Sequence, residues 1–191
     1  MAQFQVFEKG IYVNGQTILA VVNGMPKFKD LAFMILSENG LQNIHVNQWY
    51  SMQSWLNAFK TIAEEIGEKT LFEIGKVIPY SADFPSDITT IEKGLKSIDI
   101  AYHINHSKNG KDPMYNPQTR EMQEGIGHYI FESTGNNSAK IIGSNPYPCE
   151  FDRGIISAMA QKYKPLAIVN IDLDSENRKS GGKTTTYIIK W

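Results

Sequence analysis

The sequence contains one cysteine, Cys149, in 191 residues, so no intramolecular disulfide can form, which fits a reducing compartment. No run approaches the ~20 apolar residues needed to cross a bilayer. The first ten residues lack the basic segment followed by an apolar run that marks a secretory leader. Charge of one sign is also missing: 19 basic and 20 acidic side chains leave a formal net charge of −1. A dedicated nucleic-acid binder draws its affinity from a basic surface, and none is encoded here. There is no Ser/Gly- or Pro-rich linker, internal repeat or low-complexity tract. The expectation is a single domain over residues 1–191, cytoplasmic, with neither a membrane nor a nucleic acid as partner.

What is present is enough apolar bulk for a core: 41% hydrophobic residues, including 9 Tyr, 9 Phe and 3 Trp. Asn14-Gly15 between two β-favouring runs predicts an N-terminal β-hairpin, because both central residues of a type I′ turn need positive φ. A helix is expected over 27–36, with Gly40 just past its end. Trp49, Met52, Leu56, Phe59, Ile62 and Ile66 recur three or four apart, and Gly67 suits the end of that helix. A shorter helix over 71–78 stops before Pro79. Ser86 is placed to cap another helix, running to about His106 and burying Ile88, Ile91, Leu95, Ile98 and Tyr102. Residues 108–120 read as a loop, with a helix entry near Asn116-Pro117. Segments 129–133 and 139–142 around 135–137 form a second hairpin candidate. A helix over 152–163 and strands over 166–171 and 184–189 follow. Helices grouped before antiparallel strands predict an α+β fold, with helices packed on a roughly four-stranded antiparallel sheet. Residues 1–120 would carry the first hairpin and the helices, and 126–191 the hairpin-helix-hairpin.

Four histidines occur, and His103 and His106 stand three apart. On a helix such residues share a face, so both imidazoles would reach one metal or one ligand. His128, Glu124 and Cys149 are the further donors by residue type. The adjoining Glu and fixed spacing of the zinc-protease signature are missing. A plainer reading is a helix end whose imidazoles bond carbonyls or the dipole; imidazole also suits general acid/base chemistry. Gly125 and Gly127, next to His128 and Tyr129, read as a tight junction into a strand. Cys149 stands near a helix N-terminus, where a thiol can have a lowered pKa, although cysteine is also among the most buried residue types. Arg153 suits bidentate binding of a carboxylate, or a pair with Asp152 or Glu150. The acidic segment 172–183 lacks the calcium-loop pattern, and Gly181-Gly182 reads as a turn.

Residues 145–191 comprise a helix beginning Cys-Glu-Phe-Asp-Arg-Gly-Ile-Ile, a strand, a charged Asn-Arg-Lys-Ser-Gly-Gly turn and a closing Thr-Tyr-Ile-Ile-Lys-Trp strand. This quarter of the chain resembles the end of the small-molecule-binding domains grouped with 4-vinyl reductase and haem–nitric-oxide-binding domains. The resemblance implies helices on a four-stranded antiparallel sheet, a homodimer, and a role in sensing or carrying small, often apolar, ligands. Two departures stand out. Asn177 and Thr184 or Thr185 occupy places where many of the reductase-like sequences carry cysteines. The Tyr-x-Ser-x-Arg signature that holds haem propionates is absent, and Tyr115 to Arg120 does not have its spacing.

The expectation is therefore a sensory or ligand-binding domain with a pocket between helices and sheet. A small apolar molecule would be contacted there by Tyr102, His103, His106, His128, Tyr129, Cys149 and Arg153. The alternative is a metal- or haem-binding protein, or an enzyme, using His103, His106 and His128 with Glu124.

Overall fold

A computed structural model describes residues 3–82 and 84–191; residues 1, 2 and 83 lie outside it. The chain is α+β, as the grouping of periodicities predicts. Strand β1 (Ile11–Asn14) leads into helices α1 (Gly15–Asn23) and α2 (Lys29–Glu38), then strand β2 (Trp49–Ser51) and the long helix α3 (Met52–Val77). Helix α4 (Ile91–Ile104) and strand β3 (His106–Lys108) follow. The last part runs β4 (Tyr129–Gly135), β5 (Ser138–Gly143), α5 (Cys149–Tyr163), β6 (Ile168–Ile171) and β7 (Thr185–Lys190). The strands form two antiparallel sheets, in the order β2-β1-β3 and β4-β5-β7-β6.

The hairpin predicted at Asn14-Gly15 does not form; residues 17–22 belong to α1. Asn14 has φ −76° and ψ 153°, and its side chain accepts a hydrogen bond from the Thr17 amide at 2.9 Å. It caps a helix, a role for which Asn is as well suited as for a turn. Gly15 is required by proximity, since a Cβ there would fall 2.0 Å from the carbonyl oxygen of His45. Helix α4 opens four residues later than the Ser86 cap implies. Thr90 caps it instead, accepting from the Lys93 amide at 3.3 Å, after a turn closed by Ile88 N–H on the Pro85 carbonyl. No helix starts at Asn116-Pro117: the Asn116 side chain accepts from the Gln118 amide, and Tyr115 bridges to Met122.

Helix α3 is interrupted where glycine allows it. Gly67 has φ 73° and ψ 168°, so the expected stop there appears as a kink rather than a gap. Beyond the kink, α3 crosses α5 with backbones touching. A Cβ on Gly75 would fall 2.1 Å from Phe151 O, and one on Gly154 2.2 Å from Phe72 O. In the larger sheet, alternate residues point to opposite faces. The inner row Phe131, Ile141, Tyr187 and Ile171 lies in register across all four strands. Helices α4 and α5 cover that face, leaving Ile130 and Ile168 exposed on the other. No helix among the described residues is long and apolar enough to cross a membrane.

Candidate functional site

Between α4, α5 and the end of α3 lies a small cavity of about 100 Å³. Ile98, Ala101, Tyr102 and Asn105 reach it from one face of α4 and the residue after it, which is the i, i+3, i+4, i+7 spacing of a single helical stripe. Phe151, Ile155 and Met159 reach it from α5 by the same rule, and His106, Tyr129, Tyr147 and Thr17 close it.

The polar atoms around the cavity are joined in chains. His106 Nδ1 donates to the Tyr102 carbonyl at 2.7 Å, which fixes the tautomer and leaves Nε2 to accept from the Tyr147 hydroxyl at 3.0 Å. Tyr147 in turn accepts from Trp55 Nε1–H at 3.2 Å. Burial, only partly opposed by the bond to the Tyr102 carbonyl, pushes the His106 pKa down to about 4. Burial likewise raises the phenols of Tyr102, Tyr129 and Tyr147. Tyr102 donates to the Ile126 carbonyl, and Tyr129 to Asp152 Oδ1 at 2.6 Å.

Asp152 belongs to an ion pair sunk beneath the cavity. Arg178 Nη2 lies 2.5 Å from Asp152 Oδ2, with both side chains almost completely buried. Burial works against the charge on Arg178, but Asp152, Tyr187 and Cys149 together outweigh it and raise the pKa. The guanidinium also donates to Tyr187 Oη, to Asn145 and to the Tyr147 carbonyl. The sequence around Arg178 reads as a charged surface turn; the fold buries that one residue and uses it as a cross-link between the turn, the sheet and α5.

The two histidines of the His-x-x-His spacing take different neighbours. Helix α4 ends at Ile104 and the chain turns into β3, so the helical rule that would put both on one face does not reach His106. His106 enters the cavity. His103 lies on the other side of α4, fully buried, stacked on His128 with ring centroids 4.9 Å apart. Its Nδ1 donates to the Asp99 carbonyl at 2.8 Å, and among the described residues its Nε2 has no partner. Burial lowers the His103 pKa.

His128 stands between two carboxylates, with Nδ1 3.1 Å from Asp99 Oδ2 and Nε2 2.9 Å from Glu124 Oε2. Burial pulls its pKa down, but the bonds to Glu124 and Asp99 outweigh burial and raise it. One ligand atom from each of Asp99, His103 and His128 lies within 4.8 Å of the others. The fold therefore gathers His103, His128 and Glu124 and leaves His106 apart from them.

Cys149 and Arg153 lie elsewhere again, on a surface groove of about 600 Å³ between α3, α5 and β6. Cys149 is buried, with its sulfur 2.9 Å from Gln3 Nε2 and 3.2 Å from Thr185 Oγ1. Arg153 is spent on Glu150, through Nε and Nη2, and on the Phe72 ring 4.0 Å beneath it. Tyr102, His106 and Tyr129 are thus the expected residues that share the cavity. Asp99 escapes the sequence reading, although Asp99 and His103 one helical turn apart are a legible signal; Tyr147 and Trp55 give none.

No protein-family model and no curated protein matches the sequence. Solved structures do match in shape. An H-NOX protein from S. oneidensis in the Fe(II)NO ligation state aligns with a TM-score of 0.62 at 13% identity, covering 93% of this chain and 98% of that one. A mutant H-NOX protein from K. algicida, Fe(II) unliganded, aligns at 0.62 and 12% identity over 93% and 95%. An oxygen-binding H-NOX domain related to soluble guanylate cyclases aligns at 0.62 and 14% identity over 93% and 94%. The likeness thus extends well beyond the C-terminal quarter that carries the sequence resemblance, and the chain has the fold of the H-NOX domains over nearly its whole length.

Proposed function

We propose that this chain is a small-molecule-binding, sensory domain that uses the H-NOX fold without haem, its site being the cavity between α4 and α5. The observation that carries this reading is the cavity lining. It is apolar apart from Thr17, Asn105, His106 and three tyrosines, and none of the described residues lining it is Lys or Arg. The solved structures of similar shape include Fe(II) and Fe(II)NO states, and one concerned with haem redox potential and porphyrin distortion, so fit to haem is the first question. Pockets for cofactor-sized ligands run to roughly 300–1,000 Å³, against about 100 Å³ here. Two propionates would meet no cation in the lining, and the one imidazole that faces the cavity already accepts a hydrogen bond from Tyr147. The residues present do not fit haem.

An apolar cavity of about 150 Å³ accommodates benzene, so a guest here has a few heavy atoms, up to about one ring. Ile98, Phe151, Ile155 and Met159 would contact it. Binding rather than turnover is favoured because the titratable groups facing the cavity are shifted away from neutrality, His106 downward and the tyrosines upward. None is tuned to exchange a proton near pH 7. On this proposal the 191 residues act as one unit, cytoplasmic in keeping with a lone reduced cysteine and homodimeric by the sequence resemblance.

Titration with haemin, followed by a titration with phenol monitored by amide chemical shifts, tests the proposal. No Soret band of a protein-ligated haem, and phenol shifts centred on Ile98, Tyr102, Tyr147 and Met159, are expected. A one-to-one haem complex abolished by His106→Ala, or phenol shifts scattered over the surface, would overturn it.

A further inference from the structure

We propose that Asp99, His103 and His128 form a site for a divalent transition-metal ion of the zinc class, bound by one carboxylate and two imidazoles, with Glu124 orienting His128. The site lies on the face of α4 turned away from the cavity, so it is independent of the small-molecule reading.

The three side chains converge from two elements. Asp99 and His103 are one turn apart on α4, and His128 arrives from the segment before β4, placing one ligand atom of each within 4.8 Å of the others. Each potential ligand is held by a second group, as bound metals require of their ligands. Asp99 Oδ1 accepts from the Tyr129 amide at 2.8 Å, which leaves Oδ2 turned to His128. The Asp99 carbonyl fixes the proton of His103 on Nδ1, so its lone pair is on Nε2. Glu124 takes the Nε2 side of His128 and leaves Nδ1 facing Asp99, a carboxylate–histidine–metal arrangement.

A purely electrostatic cluster explains His128, held between Asp99 and Glu124, but leaves His103 unexplained. His103 Nε2 is buried and has no partner among the described residues, and buried polar atoms without partners are rare because they cost free energy. A cation satisfies His103 and His128 together. Two nitrogens and one oxygen suit zinc, cobalt or ferrous iron, whereas calcium and magnesium take oxygen shells. Three protein ligands leave at least one position for water. The Asp99 and His128 side chains remain 19% and 24% exposed, which provides the entry route.

The test uses the untagged full chain, freed of metal with a chelator and titrated with Co(II). One equivalent is expected to give the visible d–d absorption of low-coordinate cobalt, and Zn(II) to displace it. His128→Gln and Asp99→Asn, at partly exposed positions with folding verified by circular dichroism, are each expected to weaken binding at least about tenfold, and Glu124→Gln about tenfold through lost orientation. His45→Ala, far from the cluster in sequence and exposed, should leave binding unchanged. Absence of the d–d bands in the wild-type chain, or binding insensitive to His128→Gln, or equally reduced by His45→Ala, overturns the proposal. None of these outcomes bears on whether phenol enters the cavity.

Discussion

The Tyr147 hydroxyl stands 3.0 Å from His106 Nε2 and donates to it, while accepting from Trp55 on its other side. One phenol thereby ties the N-terminal half of α3 to the strand that follows α4, through a buried link beside the cavity. Tyr147→Phe removes the link without removing the ring and strands a buried N–H on Trp55 and a buried acceptor on His106. A loss of about 1–3 kcal/mol in stability is expected, measured as a lower urea midpoint with an unchanged m-value.

The same histidine sets an acid limit on the fold. Its pKa falls from 6.5 to about 4 on folding, so the unfolded chain binds this proton first as the pH drops. Stability is unaffected by His106 above about pH 6.5 and declines between there and about pH 4, by about 3 kcal/mol at full extent. His128 has the opposite sign. Its raised pKa gives a contribution that is complete below 6.5 and is lost as the pH rises through the folded value. Urea midpoints from pH 7 down to 4.5 should fall in the wild type and stay flatter in His106→Gln; equal slopes in the two proteins would contradict the assignment.

Arg178→Met should be among the most damaging substitutions in the chain. It leaves the Asp152 carboxylate buried without its cation, a change that costs about 3–5 kcal/mol when a buried pair is broken from one side. Adding Asp152→Asn should restore part of the loss, since the remaining charge is removed. Thermal unfolding of the single and double variants decides it: a double variant no more stable than Arg178→Met would rule out an unpaired charge as the cause.

Gly154→Ala and Gly75→Ala test the helix crossing. Each new methyl would sit little more than 2 Å from a carbonyl oxygen of the opposite helix, and backbone cannot give way as a side-chain tip can. A destabilisation at or beyond the about 1–3 kcal/mol usual for overpacking a core is expected for either. Gly67→Ala should cost less, because a Cβ there meets only open space and the penalty is that of the positive φ alone. Urea midpoints of the three variants, compared at one pH, check the ranking.

Periodicity makes the helices around Leu56, Leu95 and Ile156 legible, and the alternation in 129–142 and 184–189 marks the four-stranded sheet. These signals depend only on which residues are apolar and how far apart they stand. Asn14-Gly15 misleads because a turn and a helix cap draw on the same residue types, and only the carbonyl of His45 pressed against Gly15 separates them. His103 and His106 stand out in the sequence, but their spacing says nothing about where α4 ends; a break after Ile104 sends the rings to different neighbours. Arg178 in a string of polar residues carries no mark of burial, because its partners Asp152 and Asn145 are more than twenty residues away in sequence.

The contact of bare backbone at Gly75 and Gly154 has a mechanical consequence. Two rods seated on each other without intervening side chains have no cushion to compress, so α3 and α5 must travel as a rigid floor. Any change of shape that a guest provokes in the hollow above them is left to the roof, where α4 carries Tyr102 on one flank and Asp99 with His103 on the other.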